Sequence, residues 1–248
     1  MSTTDSSAGN VILVDVREPD DTPLTPPGDP LPGIKRMADL QVRLLDQNDR
    51  QAAENRAFLK ARGIRALNFV SSPGSGKTAL LERTLDALAG DVRCAVLVGD
   101  LETDNDARRL RRPGLPVAQI TTGGTCHLDA SMIARGLAAL PLEGVQLLFI
   151  ENVGNLVCPA SFDLGENRRI TLLSCAEGED KPLKYPPIFA SSHAAILSKI
   201  DIAAPLGFDR AAALANIRRV APGAEVFELS ARTGEGCDRW FAYLRALL

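Results

Sequence analysis

The sequence predicts an α/β fold, a mainly parallel sheet of about seven strands flanked by helices. Three observations carry that expectation. Short apolar, β-branched runs recur along the chain, helical patterns separate most of them, and conspicuous polar residues stand where the runs end. Strands alternating with helices build a parallel sheet covered on both faces, and ligands then bind beyond the carboxyl ends of the strands. Of the 248 residues, 45% are hydrophobic, enough for a sizeable core.

Taken in order, residues 1–33 hold six of the 16 prolines and mostly acidic charge, and read as a Pro-rich, disordered tail. Within it Val11-Ile12-Leu13-Val14 can pair as a short strand. The tail has no Cys and no His, so it is not a metal-binding tail. Residues 34–62 read as an amphipathic helix. Ile34, Met37, Leu40, Leu44 and Leu45 recur at helical spacing, and Ala52, Ala53, Ala57, Phe58 and Leu59 continue the stripe. A break near Asp46–Asp49 is expected, and Gly63 is a plausible stop. The apolar stripe suits packing on the sheet or on a second protomer. Residues 63–248 form the main domain. Its strands are expected at Ala66–Ser71, Cys94–Gly99, Val117–Ile120, Val145–Ile150, Ile170–Ser174, Ala194–Ser198 and Glu225–Leu229. Helical patterns fall at 77–89, 104–110, 128–139, 208–220 and 237–247.

Bulk properties exclude several classes. A net charge of −3 gives no footprint for nucleic acid. No apolar run approaches the ~18 residues of a membrane span, and the first residues lack a charged-then-apolar signal pattern. Five scattered cysteines, an odd number, argue against a disulfide framework and for a reducing cytoplasm.

The chemistry begins at Asn68-Phe69-Val70-Ser71-Ser72-Pro73-Gly74-Ser75-Gly76-Lys77-Thr78-Ala79, a buried strand, a small-residue loop and the start of a helix. That is the order of parts in a phosphate-binding P-loop, with Ser71 standing where the full pattern has Gly. Backbone N–H groups from Gly74, Ser75, Gly76, Lys77, Thr78 and Ala79 converge on an anion at the positive end of the helix. Lys77 reaches the β- and γ-phosphates, and Thr78 offers its hydroxyl to Mg²⁺. Asp100 ends another strand, before Leu101-Glu102-Thr103-Asp104-Asn105-Asp106. It suits the neighbourhood of Mg²⁺ or a nucleotide-sensing switch, and equally an acidic helix start. Glu151-Asn152-Val153-Gly154 has the layout of a γ-phosphate sensor, with Glu151 toward the metal and the Gly154 amide toward the phosphate. The catalytic set is therefore Lys77, Asp100 and Glu151, with Thr78, Asp100 and Glu151 as magnesium ligands.

Ser198-Lys199-Ile200-Asp201 resembles the Asn/Thr-Lys-x-Asp guanine-reading motif. A carboxylate there accepts from guanine N1–H and the 2-amino group and rejects adenine, which offers no matching donors. Lys199 packs on the purine, and Ser230, Ala231 and Arg232 supply a loop beside the base. Ser198 is shorter than the usual residue and is expected to hold the P-loop less firmly. Lastly, Thr121-Thr122-Gly123-Gly124-Thr125-Cys126-His127 precedes a helix, and Cys158 lies seven residues beyond Glu151. Near a helix N-terminus Cys126 is expected to ionise readily. Two thiolates and one imidazole suit zinc, nickel or copper. They are too few for a closed tetrahedral site, which leaves water or a second protomer to complete it. The plainer reading of Cys126 and Cys158 is as small buried residues. Cys94, Cys175 and Cys237 read as core or unpartnered, and His193 as a structural histidine.

Together these runs resemble the HypB family, GTPases that help insert nickel during maturation of nickel–iron hydrogenases. The resemblance covers about residue 34 to the C-terminus. It rests on the P-loop with its Ser71, on Gly99-Asp100, Thr103-Asp104 and Asp106-Ala107, and on Cys126-His127-Leu128-Asp129-Ala130. Two further runs carry it, Glu151-Asn152-Val153-Gly154-Asn155-Leu156-Val157-Cys158-Pro159 and Glu177-Gly178-Glu179-Asp180-Lys181-Pro182-Leu183-Lys184-Tyr185-Pro186. It implies a P-loop GTPase of the class that dimerises around nucleotide, working with GTP/GDP and Mg²⁺. It implies that Cys126, His127 and Cys158 hold nickel or zinc at the dimer interface. A nickel-delivery partner protein and the hydrogenase large-subunit precursor are the implied partners. The chain departs from the family pattern by lacking an N-terminal Cys-rich or His-rich nickel motif, and at Ser198 and His193. Nickel delivery to urease, or a non-catalytic metal-binding scaffold with a degenerate P-loop, are the alternative readings.

Overall fold

A computed structural model describes residues 11–15, 33–100 and 105–248; of the proposed tail, 1–10 and 16–32 lie outside the described residues, as does the run 101–104. Among the described residues eight parallel strands form one sheet: β1 (Val11–Asp15), β2 (Arg65–Ser71), β3 (Cys94–Asp100), β4 (Val117–Thr121), β5 (Leu147–Glu151), β6 (Arg168–Ser174), β7 (Ala194–Ser198) and β8 (Glu225–Leu229). The seven expected strands are all present, and Val11–Asp15 adds an edge strand in register with β4, Val11 opposite Val117. The spatial order is β1-β4-β3-β5-β2-β6-β7-β8. From β2 the chain goes to one side for β3 to β5 and crosses to the other for β6 to β8. The carboxyl end of β2 is thus the switch point at which such sheets open a crevice for ligands.

The helices are α1 (Gly33–Ala61), α2 (Lys77–Leu88), α3 (Asn105–Arg109), α4 (Ala130–Ala139), α5 (Lys181–Lys184), α6 (Pro186–Ala190), α7 (Arg210–Val220) and α8 (Cys237–Ala246). Alternate residues of β2 face opposite sides. Leu67 and Phe69 join Leu81, Leu85, Phe149, Phe227 and Trp240 under α2 and α8. Ala66 joins Leu59, Leu97, Ile133 and Ile150 under α1 and α4, and Val70 joins Leu197, Ile188 and Ile217 under α6 and α7. Both faces are covered, which is why the strands read as unbroken apolar runs.

The expected break in the N-terminal helix is absent: α1 runs unbroken through Asp46–Asp49. The buried Asn48 explains why. Its amide donates to Asp163 O at 2.9 Å and its carbonyl accepts from Ala130 N at 2.9 Å, so tertiary bonds hold a turn whose composition favours bends. Two turns further on, Asn55 donates to Ala130 O and Leu164 O at 2.7 and 3.1 Å. In the second half of the apolar stripe Ala52 and Leu59 are core and Phe58 is half-buried, while Ala53 and Ala57 face outward; Val42 and Leu44, earlier in the helix, are exposed. Helix α4 begins at Ala130, capped by Asp129, which accepts from Met132 N. Among the described residues no helix is long and apolar enough to cross a membrane.

Candidate nucleotide and metal sites

The carboxyl ends of β2, β3, β5 and β7 bring the expected phosphate and base residues together. Gly74 and Gly76 hold φ of 74° and 96°. That left-handed geometry turns the loop out of β2 and back into α2, and it is open to glycine at no steric cost. Lys77 and Thr78 are buried in the first turn of α2. The Lys77 ammonium donates to Ser71 Oγ at 3.0 Å, so the serine that replaces the pattern's glycine gives the lysine a resting place. Burial lowers the Lys77 pKa, and the nearby Glu151, Asp106 and Glu177 carboxylates oppose that shift.

Thr78 Oγ1 donates to Glu151 Oε1 at 2.6 Å. The other carboxyl oxygen, Oε2, is buried without a hydrogen-bond partner among the described residues. Burial raises the Glu151 pKa to about 7 despite the pull of Lys77 and Thr78. A buried carboxyl with an orphan oxygen beside a threonine hydroxyl fits a hard divalent cation with oxygen ligands, and so fits Mg²⁺. Asp100 lines the same cavity of about 510 Å³. A Cβ placed on Gly154 would meet Pro73 Cα at 2.9 Å, so only glycine lets the sensor loop lie against the P-loop.

A second cavity, of about 200 Å³, adjoins the first between Ala79, Lys199, Asp201 and Ser230–Arg232. Ser198 reaches the P-loop after all: its Oγ donates to Ser75 O at 2.7 Å. Beside it Lys199 Nζ donates to Gly74 O at 2.7 Å. Hydrogen bonding from Ser230 and from Arg232, whose Nε lies 2.9 Å from Oδ2, holds the Asp201 carboxyl below its ordinary pKa. Asp201 is therefore an ionised acceptor at the mouth of an apolar slot, the requirement for reading guanine.

Cys126, His127 and Cys158 also converge. Their ligand atoms all lie within 4.8 Å of one another, with the two Sγ atoms 2.9 Å apart and Cys126 Sγ 3.9 Å from His127 Nδ1. Left-handed Gly123 and Gly124 supply the bend that lets neighbouring Cys and His face one point. Cys126 is exposed and Cys158 half-buried, so neither is the small core residue of the plainer reading. The helix-terminus placement expected for Cys126 needs correcting. Cys126 precedes the Asp129 cap and lies outside the first turn of α4, and a hydrogen bond from Cys126 raises the Cys158 pKa. Burial lowers the His127 pKa, with Asp129 opposing, which keeps the imidazole neutral and able to ligate. His193 is structural: its Nδ1 accepts from Arg169 N at 3.1 Å where β6 and β7 begin.

Other contributors were not anticipated. Glu177 accepts from Ser75 Oγ at 2.6 Å, and Lys181 donates to Ser72 Oγ at 3.1 Å, so the loop before α5 and the first residue of that helix brace the P-loop from outside. Burial pushes the Glu177 carboxyl up, but bonds from Ser75, Ser72 and Lys181 outweigh it and the pKa is lowered. Arg109 lines the phosphate cavity while paired with Glu82 at 2.7 Å. Glu177 and Lys181 stood in a run that carried the family resemblance, but nothing in the sequence assigned them a contact with the P-loop, and Arg109 carried no signal.

A parallel sheet with a P-loop at its switch point, a carboxylate-x-x-Gly sensor and a guanine-type base slot define a nucleotide-binding protein of the P-loop GTPase class. The family model described as CobW/HypB/UreG, nucleotide-binding domain, matches residues 66–228. The chain is 51% identical over 215 residues to the hydrogenase maturation factor HypB of Escherichia coli K12, covering 86% of this chain and 74% of that one. It is 52% identical over 216 residues to HypB of Azotobacter vinelandii, covering 86% and 71%. Among solved structures it superimposes on HypB from Archaeoglobus fulgidus with a TM-score of 0.77 at 38% identity, covering 82% of this chain and 98% of that one. With HypB from Helicobacter pylori in complex with nickel the TM-score is 0.76 at 41% identity, covering 81% and 94%. The chain belongs to the HypB family of hydrogenase maturation factors.

Proposed function

We propose that this chain is a GTP-hydrolysing nickel chaperone that assists nickel insertion into nickel–iron hydrogenase. The observation that carries the reading is the shared loop: Glu151 and Gly154 at the phosphate end and Cys158 at the metal end belong to one short run after β5. In this reading Lys77 leaves Ser71 for the β- and γ-phosphates, and the amides from Gly74 to Ala79 cradle them. Thr78, Asp100 and Glu151 hold Mg²⁺, which when bound neutralises charge between the phosphates. The Gly154 amide donates to the γ-phosphate and relaxes when that group leaves. Lys199, Asp201, Ser230, Ala231 and Arg232 hold guanine. Cys126, His127 and Cys158 carry the cargo, nickel or zinc, and residues from a second copy of the chain or water complete its coordination. The exposed Val157 beside Cys158 suits burial in such a homodimer.

The domain division belongs to the same proposal: residues 1–33 as a tail, 34–62 as an N-terminal helix and 63–248 as the GTPase domain. So do a cytoplasmic location, a nickel-delivery partner and the hydrogenase precursor as acceptor. One observation favours a second delivery target. The Helicobacter pylori relative, 43% identical over 214 residues, is a hydrogenase/urease maturation factor. The non-catalytic reading loses its motive, since Ser198 does reach the P-loop.

Titration of the apo, GDP-bound and GTP-bound protein with nickel and with zinc, with molar mass measured in each state, tests the proposal. One tight site per chain, lost in Cys126→Ala while GTP binding survives, is expected. Turnover of the isolated protein is expected at about 10⁻⁴–10⁻² s⁻¹, by analogy with unassisted GTPases, and absent in Lys77→Ala. Unchanged metal stoichiometry in Cys126→Ala would remove the metal site from the reading.

A further inference from the structure

Cys158 is tied to the sensor by the chain itself, but His127 and Cys126 sit on a different loop. A buried ring of polar contacts joins that loop to the sensor. Asn152, 1% exposed, lies between Glu151 and the Val153-Gly154 turn. Its Oδ1 accepts from Leu128 N at 3.1 Å, the amide directly after His127, and from Val153 N at 2.9 Å. Its Nδ2 donates to Asn68 Oδ1 at 3.3 Å. Asn68 in turn donates to Glu166 Oε1 at 3.1 Å. Glu166 pairs with Arg169 at 2.9 Å, both side chains under a tenth exposed. Arg169 then donates to Phe162 O at 2.7 Å. The Phe162 ring closes the circuit against the His127 imidazole, centroids 4.0 Å apart. On the outer side Asn155 Nδ2 donates to Cys126 O at 3.3 Å.

We propose that Asn152 and Phe162 are positioning residues that make the His127 side of the metal site answer to the bound nucleotide. Asn152 grips the loop after His127 from the sensor, and Phe162 backs the imidazole from the opposite side. A sensor that shifts on loss of the γ-phosphate then moves the imidazole as well as the Cys158 thiol. Its polar links, Asn152, Asn68 and Arg169, are buried and hydrogen-bonded, so the circuit shifts as a unit rather than bending at one bond. Groups that orient a metal-ligating histidine commonly change metal affinity by about 10- to 100-fold when removed. The inference rests on the proposed nickel site and deepens it.

The test measures nickel(II) affinity of the full chain, alone, with GDP and with a non-hydrolysable GTP analogue. The nickel–thiolate charge-transfer band is recorded in each state. In the unaltered chain the affinity and the band differ between the two nucleotides. Asn152→Ala is expected to shrink that difference by about tenfold or abolish it while the thiolate band persists. Phe162→Leu is expected to weaken nickel about tenfold in both states, and Phe162→Tyr to restore it. Phe162 is only half-buried, so its variants remain informative if Asn152→Ala does not fold. An undiminished nucleotide effect in Asn152→Ala, or unchanged nickel affinity in Phe162→Leu, overturns this inference and leaves the nickel site standing. Failure of the unaltered chain to bind nickel overturns the proposed function itself.

Discussion

Cys94, Cys175 and Cys237 are buried, and loss of hydration pushes the first two thiols up to about 12 and about 11. Cys126 and Cys158 reach the surface. Since the thiolate is the nucleophile, iodoacetamide at pH 8 should modify the latter two and spare the other three, with nickel protecting both. Mass spectrometry with peptide mapping checks this, and rapid labelling of Cys94 would contradict the burial. A second expectation concerns Asp201, the carboxylate proposed to read guanine, whose pKa is held low by Ser230 and Arg232. Asp201→Asn removes one charge-assisted acceptor, worth about 1.5–3 kcal/mol, so GDP affinity should fall about 10- to 150-fold by calorimetry. Residues whose convergence follows from order along the chain were legible from sequence: Lys77, Thr78, Glu151 and Gly154 around one cavity, Asp201 at its neighbour, and the Cys126-His127-Cys158 set. Those whose roles come from distant approach were not. Glu177 meets Ser75 across 102 positions, and Asn68 meets Glu166 across 98. Ser71 was visible as a departure from the P-loop pattern and as part of the family resemblance, but not as the group whose oxygen receives the P-loop lysine.

At the scale of elements, α1 shows what periodicity conveys and what it misses. The apolar stripe announced a helix, but Asp46–Asp49 suggested a break because the bonds that Asn48 makes to residues 130 and 163 leave no trace in local composition. Asn55 makes the stronger case for α1 as a fixed part of the domain. Asn55→Leu strands the Ala130 and Leu164 carbonyls and should cost about 1–3 kcal/mol in denaturant unfolding. A loss below a few tenths of a kcal/mol would mean that α1 is only loosely attached. The brace before α5 adds a pH dependence. The Glu177 pKa is lowered in the fold from 4.5, so its contribution is complete above that value and is lost as pH falls through the lower folded pKa. Glu177→Gln should therefore melt below the unaltered chain at pH 7, and the gap should close as the pH drops beneath 4.5. The short helices α5 and α6 and the 3₁₀ turn at Cys158–Ser161 escaped the sequence because each spans only a turn or so.

Across the whole molecule, seven strands and their order-independent character were readable because strands buried on both faces are uniformly apolar. The spatial order was not, since register and crossover depend on packing between distant segments. The carboxyl ends of the strands carry both candidate sites, while the aromatic cluster lies beneath α2 and α8. That cluster holds the chain's one tryptophan. Trp240 is fully buried, donates to Thr84 Oγ1 on α2 at 3.1 Å and meets the rings of Phe69 and Phe227 edge-on. The protein therefore contains its own optical gauge, fixed to the strand and helix that flank the P-loop. Its emission should be blue-shifted in the native chain and move to the red only when α2 separates from the sheet. A variant of the metal loop that keeps the native spectrum has kept its nucleotide frame, and no added dye is needed to know it.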